Sequence, residues 1–225
     1  MDVDEPVVVD GELLTGVDVG VANALAQARA FGYLGPGPLQ RHIDHARGFA
    51  DALLASGIVE SDNSAISAVD LGSGGGVPGL LLLTWWPRSR WTFVDSNQRR
   101  MGTLSQVLSD LNLTDRSAVR VGRAEHLARV PELRGLFDVL VARGFSAPGV
   151  TAECGSPFLR IDGVMVVSEP PIGEDRWSDT GLARLGLRRQ ALDRGQFRFF
   201  MARQERRTPD SYPRAVGVPS TSPLF

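Results

Sequence analysis

Residues 69–79 read Val-Asp-Leu-Gly-Ser-Gly-Gly-Gly-Val-Pro-Gly, which places one carboxylate, Asp70, two residues ahead of three alternating glycines, Gly72, Gly74 and Gly76. Glycines in such a turn let the backbone approach a ligand that a Cβ would push away. Ile66, Val69 and Leu71 precede the turn with the apolar, β-branched character of a buried strand. Leu80 to Trp86 follow as an apolar helical run, and the fixed φ of Pro78 suits its first turn. Strand, glycine turn and helix together build a nucleotide-binding crevice at the carboxyl end of a sheet. A second carboxylate, Asp95, ends the run Trp91-Thr-Phe-Val-Asp, where an acid can accept both hydroxyls of a ribose. The chemistry indicated is capture of a nucleoside-containing cofactor. Gly74–Gly79 also fits the dinucleotide pattern G-x-G-x-x-G, so a nicotinamide or flavin, or a glycine turn with no ligand, are the alternatives on spacing alone. Asp70 argues against a dinucleotide, because a nearby carboxylate opposes a pyrophosphate; it suits a ligand that carries an ammonium.

The elements that must position these residues alternate along the chain. Strands are predicted at 65–71, 91–95, 118–121, 137–142, 164–168, 187–192 and 197–204, and helices at 78–85, 99–111, 124–129, 147–158 and 175–185. This alternation predicts an α/β doubly wound, seven-stranded Rossmann-like sheet. Asp193-Arg194-Gly195 signals a hairpin between the last two strands. Before the sheet, Val19–Phe31 and Leu39–Ser56 read as helices, broken by Gly32-Tyr-Leu-Gly-Pro-Gly-Pro38. The expected organisation is an acidic flexible arm (1–18), an N-terminal helical segment (19–64), the sheet domain (65–205) and a basic C-terminal tail (206–225).

A length of 225 residues with 43% hydrophobic content fits one domain with a sizeable core. No apolar stretch reaches 18 residues, and no basic region precedes an apolar one at the N-terminus, so neither a membrane span nor a signal peptide is expected. Cys154 is the only cysteine, which excludes an intramolecular disulfide and fits a cytosolic protein. The three histidines, His42 and His45 among them, make no metal set. All 24 basic residues are arginine. Residues 1–22 hold six acids and no base, whereas 184–214 hold nine arginines against three acids. Such a local basic stretch fits either phosphate binding or a solvated face, and charge alone leaves both open.

The pattern Asp70-x-Gly72-x-Gly74-x-Gly76 resembles the first motif of class I S-adenosylmethionine-dependent methyltransferases. Further segments resemble one family in that class, RsmG or GidB, which methylates N7 of a guanine in 16S rRNA of the small ribosomal subunit. They are the loop running into Val77-Pro78-Gly79, Asp95-Ser96 followed by Arg99-Arg100, Gly122-Arg123-Ala124-Glu125, Phe137–Phe145 with Arg143, Arg41-His42-Ile43-Asp44, and Arg206–Arg214 followed by Gly217 and Pro219. The matches span about residues 33–225. The resemblance implies that Asp70, Gly72, Ser73, Gly74, Gly76 and Val77 form the donor loop. It implies that Asp95 holds the ribose, that Ala124 and Glu125 flank the adenine, and that Arg143 lies near the methionine end or the target base. Arg41, His42, Arg143, Arg206, Arg207 and Arg214 would then face RNA. Two departures stand out: the family's Lys-Gly after the fifth strand is Ser168-Glu169 here, and Gly-Pro-Gly-Pro stands near its usual Asn-Leu-Thr segment.

Guanine N7 offers an in-plane lone pair and carries no proton, so the reaction implied needs no general base and no catalytic residue is assigned. Its rate would come from alignment of acceptor and methyl group. Competing functions are methyl transfer to a small molecule or another RNA, and a catalytically silent donor-binding or RNA-binding protein.

Overall fold

The computed structural model of the protein describes residues 5–190 and 196–225. The chain opens with a hairpin of β1 (Val7–Val9) and β2 (Glu12–Leu14), then α1 (Val19–Ala30) and α2 (Leu39–Ala55). The alternating region follows as β3 (Ser67–Leu71), α3 (Gly79–Trp85), β4 (Arg90–Asp95), α4 (Gln98–Asp110), β5 (Ser117–Val121), α5 (Ala124–Leu127), β6 (Phe137–Ala142), α6 (Pro148–Gly155) and β7 (Leu159–Ser168). It closes with α7 (Asp179–Arg184), β8 (Leu187–Gln190), β9 (Phe199–Gln204) and a tail containing α8 (Val218–Thr221).

The seven main strands run in the order β5-β4-β3-β6-β7-β9-β8. β3 to β7 are parallel, and β9 is antiparallel to both β7 and β8. The expected doubly wound sheet with a terminal antiparallel pair is therefore present, and the Asp193-Arg194-Gly195 turn signal lies outside the described residues. Winding reverses between β3 and β6, the position where open α/β sheets bind ligands.

Side-chain alternation sorts the core. In β6, Val139 and Val141 join Phe49, Leu53, Leu80, Leu83, Met101 and Leu104 from α2, α3 and α4 on one face. Leu140 and Ala142 join Ala124, Val150, Cys154 and Leu182 from α5, α6 and α7 on the other. Burial on both faces explains why the central strands read as continuous apolar runs. The outer strands differ: β5 ends exposed at Arg120 and Val121, and β8 carries Arg188 and Arg189, charges that discourage edge-to-edge pairing.

Two segments depart from expectation. Residues 5–18 are not a loose arm. Val9, Leu14 and Val17 bury themselves against Val21, Leu25 and Ile43, while Asp10 and Glu12 pair with Arg29 and Glu12 accepts the N–H of Leu39 at the start of α2. The acids that suggested a solvated arm are partners of a base 17 or more residues away. The tail, too, packs back on the domain. Arg134 donates to the carbonyls of Thr208, Pro209 and Tyr212 as well as Ala128, Arg129 reaches those of Asp210 and Pro213, and Tyr212 and Phe225 pack against the α5–α7 core. Arg134→Met, which keeps the stem but removes the donors, is expected to cost about 2–3 kcal/mol, a charged-donor network's worth. The urea midpoint of the variant, at unchanged slope, measures it.

Candidate active site

A cavity of about 270 Å³ opens where β3, β4, β5 and β6 end. Its floor begins at Gly72, whose φ of +76° is left-handed backbone and whose added Cβ would sit 2.8 Å from the Phe145 ring. The turn is fastened to the neighbouring strand. The N–H groups of Gly72 and Ser73 both donate to the Val94 carbonyl, at 2.8 and 3.1 Å. The Ser73 hydroxyl donates to Asp70 O and accepts from Val94 N, at 2.8 and 3.0 Å.

Asp95 stands at the end of β4 and lines the cavity. Its Oδ2 accepts the Gly74 N–H at 3.0 Å and its Oδ1 accepts the Asn97 N–H at 2.8 Å. A carboxylate has about four acceptor positions, so two remain for a pair of vicinal hydroxyls. One strand further out, Ala124 and Glu125 form the next part of the wall. Glu125 Oε1 accepts from Arg123 Nη2 at 2.9 Å and from the Gly217 N–H at 3.2 Å. Burial alone would raise this carboxyl, but those donors and its own backbone N–H outweigh burial and hold it below the usual range.

Of the residues expected at the donor site, Gly72, Asp95, Ala124 and Glu125 line this cavity, while Asp70, Ser73, Gly74, Gly76, Val77 and Arg143 do not. Each has a physical reason. Alternation turns Asp70 away from the α5–α6 face; it is buried, and its Oδ2 accepts the Gly79 N–H at 2.9 Å, closing the start of α3. Ser73 is the buried fastener of β3 to β4. The Gly74 N–H is spent on Asp95, and Gly76 adjoins Leu104 and Leu80. Val77 is buried with Leu25 and Leu81 in the core under the β1–β2 hairpin. Several lining residues were not singled out: Arg100, Arg123, Phe145 and Ser146, as well as Cys154 and Ser220. Arg100, Arg123 and Phe145 stood inside the family-like motifs; Ser220 carried no local signal, since only the folding back of the tail brings it there.

Beside the cavity, Arg143 joins a polar cluster from α2. Its Nη2 donates to His42 Nδ1 at 2.6 Å, and the opposite ring nitrogen of His42 meets the Gly35 carbonyl at 3.1 Å. Acceptance at Nδ1 and donation at Nε2 describe neutral His42, in keeping with burial and the Arg143 charge lowering its pKa. His45 Nε2 meets Ser168 Oγ at 2.9 Å, and burial, aided by Arg143, pushes His45 down to about 4. Arg41 is exposed at the start of the same helix. Arg41, His42 and Arg143 are thus brought together. The C-terminal arginines are not part of that group: Arg206 Nη2 donates to Ala183 O, Arg207 stands exposed 3.9 Å from Asp210, and Arg214 grips the fully buried Glu153. Glu169 accepts two-pronged bonds from Arg176 and one from Trp177 Nε1, so the acid at the departed Lys-Gly position is neutralised locally.

Comparison with known proteins agrees with this architecture. The sequence model of the family described as rRNA small subunit methyltransferase G (GidB) matches residues 41–175. A protein named ribosomal RNA small subunit methyltransferase G from Parasynechococcus marenigrum (strain WH8102) is 33% identical over 180 residues, 74% of this chain and 71% of the relative. One of the same name from Thermotoga neapolitana is 32% identical over 175 residues, 74% of this chain and 75% of the relative. Among solved structures, cofactor-bound Rv0187 from MTB superimposes with a TM-score of 0.58 at 21% identity, covering 85% of this chain and 92% of that one; this likeness shows the fold.

Burial raises Asp70 to about 7, with Asp95 adding to it and the Gly79 N–H opposing it. A carboxyl raised in the folded state holds its proton there while the unfolded chain has already lost it, so between about pH 4 and 7 it makes stability fall as pH rises. Asp70→Asn, which can keep an acceptor on the Gly79 N–H, is expected to lose this component. The difference in thermal midpoint, variant minus wild type, should grow across that window; a constant difference would show that Asp70 is ionised throughout.

Proposed function

The chain belongs to the rRNA small subunit methyltransferase G (GidB) family, and from that membership and the cavity we propose that it transfers a methyl group from S-adenosylmethionine to N7 of a guanine in 16S rRNA. The observation that carries the reading is one cavity holding both Gly72, where a Cβ has no room, and Asp95, with acceptor positions to spare. Asp95 would hold the ribose hydroxyls, and Ala124 with Glu125 would flank the adenine. The Gly72 turn would take the amino-acid end, with Asp70 closing the start of α3 behind it. The donor supplies an electrophilic sulfonium methyl, and the lone pair of N7 receives it. The chain's own work is positioning and exclusion of water, worth far more than any proton transfer in a reaction whose acceptor carries no proton.

The acceptor would enter over the cluster of Arg41, His42 and Arg143, which adjoins the cavity through Gly144 and Phe145. Neutral His42 keeps Arg143 oriented without adding a second charge. The Glu169–Arg176 pairing supports an RNA substrate despite the Ser168-Glu169 departure, because the rim then bears no uncompensated acid. Arg206 and Arg207 would add long-range attraction from the exposed surface. Among the described residues no helix is long and apolar enough to cross a membrane.

Calorimetry is expected to show binding of S-adenosylmethionine and S-adenosylhomocysteine and none of NAD; the reverse pattern removes the proposal. Asp95→Ala should weaken donor binding by roughly 1.5–3 kcal/mol, the worth of hydrogen bonds to a charged acceptor. Methylation of undermethylated small subunits, read by mass spectrometry of the rRNA, tests the acceptor, and activity confined to small molecules would replace it. Changing Arg206 and Arg207 together to Ala is expected to reduce the log–log salt slope of small-subunit affinity by up to about two while leaving donor binding intact. An unchanged slope makes them a solvated edge.

A further inference from the structure

Glu153 lies in α6 with its carboxylate fully buried, in a core of apolar side chains. A buried carboxylate is costly unless its lone pairs are met. Arg214 meets them with three donors: its backbone N–H at 2.8 Å and Nε at 2.9 Å, both to Oε1, and Nη2 at 2.7 Å to Oε2. The same guanidinium donates to the Ser222 carbonyl at 2.7 Å, bridging both ends of the segment 214–222. Between those ends the Gly217 N–H donates to Glu125 Oε1, and Ser220 reaches the cavity. Gly217 has a φ of +85°, left-handed backbone that turns the segment at that point. Farther along, the backbone of Phe225 packs so closely on Gly149 in α6 that a Cβ there would meet the Phe225 carbonyl at 2.6 Å.

We propose that residues 214–220 form a fixed wall of the donor cavity on the side of Ala124 and Glu125, and that Arg214 and Glu153 are positioning residues that hold it there. The inference rests on the donor reading above. It moves Arg214 from the RNA face to the donor site, because its Nε and Nη2 donors are committed to a buried carboxylate and to the segment's own backbone. It also gives Glu125 a second part: beside any contact with the ligand, its carboxylate ties α5 to the tail. With Asp95 taking the ribose and the Gly72 turn lying on the β3 side, the wall faces the base of the nucleoside. The part of the donor that the wall would border is therefore its base, between α5 and the tail.

The test uses the full chain and three variants: Arg214→Ala, Arg214→Lys and Ser220→Trp. Ser220 is exposed and lies at the cavity, so its replacement leaves the fold intact even where loss of the Glu153 partner does not. S-adenosylhomocysteine affinity is measured by calorimetry, together with kcat and the KM values for S-adenosylmethionine and for undermethylated small subunits. Ser220→Trp and Arg214→Ala are each expected to weaken S-adenosylhomocysteine by about tenfold or more, or about 1.4 kcal/mol. Donor KM should rise to match, with kcat at saturating donor and small-subunit KM unchanged. Arg214→Lys, which keeps the charge but not the fork, should fall between Arg214→Ala and wild type. Donor affinity within about twofold of wild type in Ser220→Trp overturns the wall. So does a change confined to small-subunit KM and its salt dependence, which would return the tail to the RNA face. Failure of wild type itself to bind S-adenosylhomocysteine removes the donor reading, and the wall with it.

Discussion

The Val94 carbonyl and the Ser73 hydroxyl hold the site together. Two N–H groups from the turn after β3 converge on that carbonyl, and the hydroxyl bridges Asp70 to Val94 across the two strands. In a parallel sheet the ladder ends where the strands end, and the loops beyond would otherwise be free to diverge. These bonds extend the pairing of β3 and β4 through the glycine turn. Gly72 is thereby fixed beside Asp95, and the Gly74 N–H is fixed on the Asp95 carboxylate. The orientation of the carboxylate, the left-handed turn and the start of α3 are consequences of one fastened strand end.

Buried carboxyls are handled in two ways around this frame. Asp70 is buried with a single backbone donor and rises in pKa, whereas Glu153, buried as deeply, is met by the three donors of Arg214. The contrast separates two uses of a carboxylate: one closes a helix start at the switch point of the sheet, and the other anchors a segment remote in sequence. Arginine serves the second use well. Its guanidinium can meet several acceptors at once: Arg214 meets a carboxylate and a carbonyl, Arg134 four carbonyls, and Arg116 the carbonyls of Leu83, Trp86 and Ser89. With lysine absent, the ion pairs among the described residues all use arginine.

The surface around His45 and Glu169 shows the same economy. Ser168-Glu169 stands in place of the family pattern's Lys-Gly; Glu169 carries its own arginine, and the Ser168 hydroxyl meets His45 Nε2. The rim is rebuilt with local partners rather than left with a net negative charge. His42 and His45 are both held neutral by burial and by Arg143, so the cluster carries the charge of its arginines alone at neutral pH.

Much of this was legible in the chain, for reasons of periodicity. Apolar runs such as Phe137–Ala142 specify strands buried on both faces, and their alternation with helices specifies a parallel sheet and its switch point. Glycines at 72, 74 and 76 followed by Asp95 point to a nucleoside crevice, because glycine takes left-handed backbone at no steric cost and leaves room for a ligand. Where a single side chain points was harder to read: Asp70, turned by strand alternation, and Val77, packed in the turn against Leu25 and Leu81, lie in the motif yet away from the cavity. Interactions across many residues were not legible. The acids at 10 and 12 gave no sign that Arg29 would stand beside them, and the nine arginines at 184–214, open by charge alone to either phosphate binding or a solvated face, gave no sign that Glu153 would claim Arg214. The sequence by itself determined the fold, the family and the crevice, since these follow from local pattern and backbone permission. The tertiary structure alone decided which charges are spent on one another and which face the ligand, because a side chain's partner is set by where the folded backbone carries it.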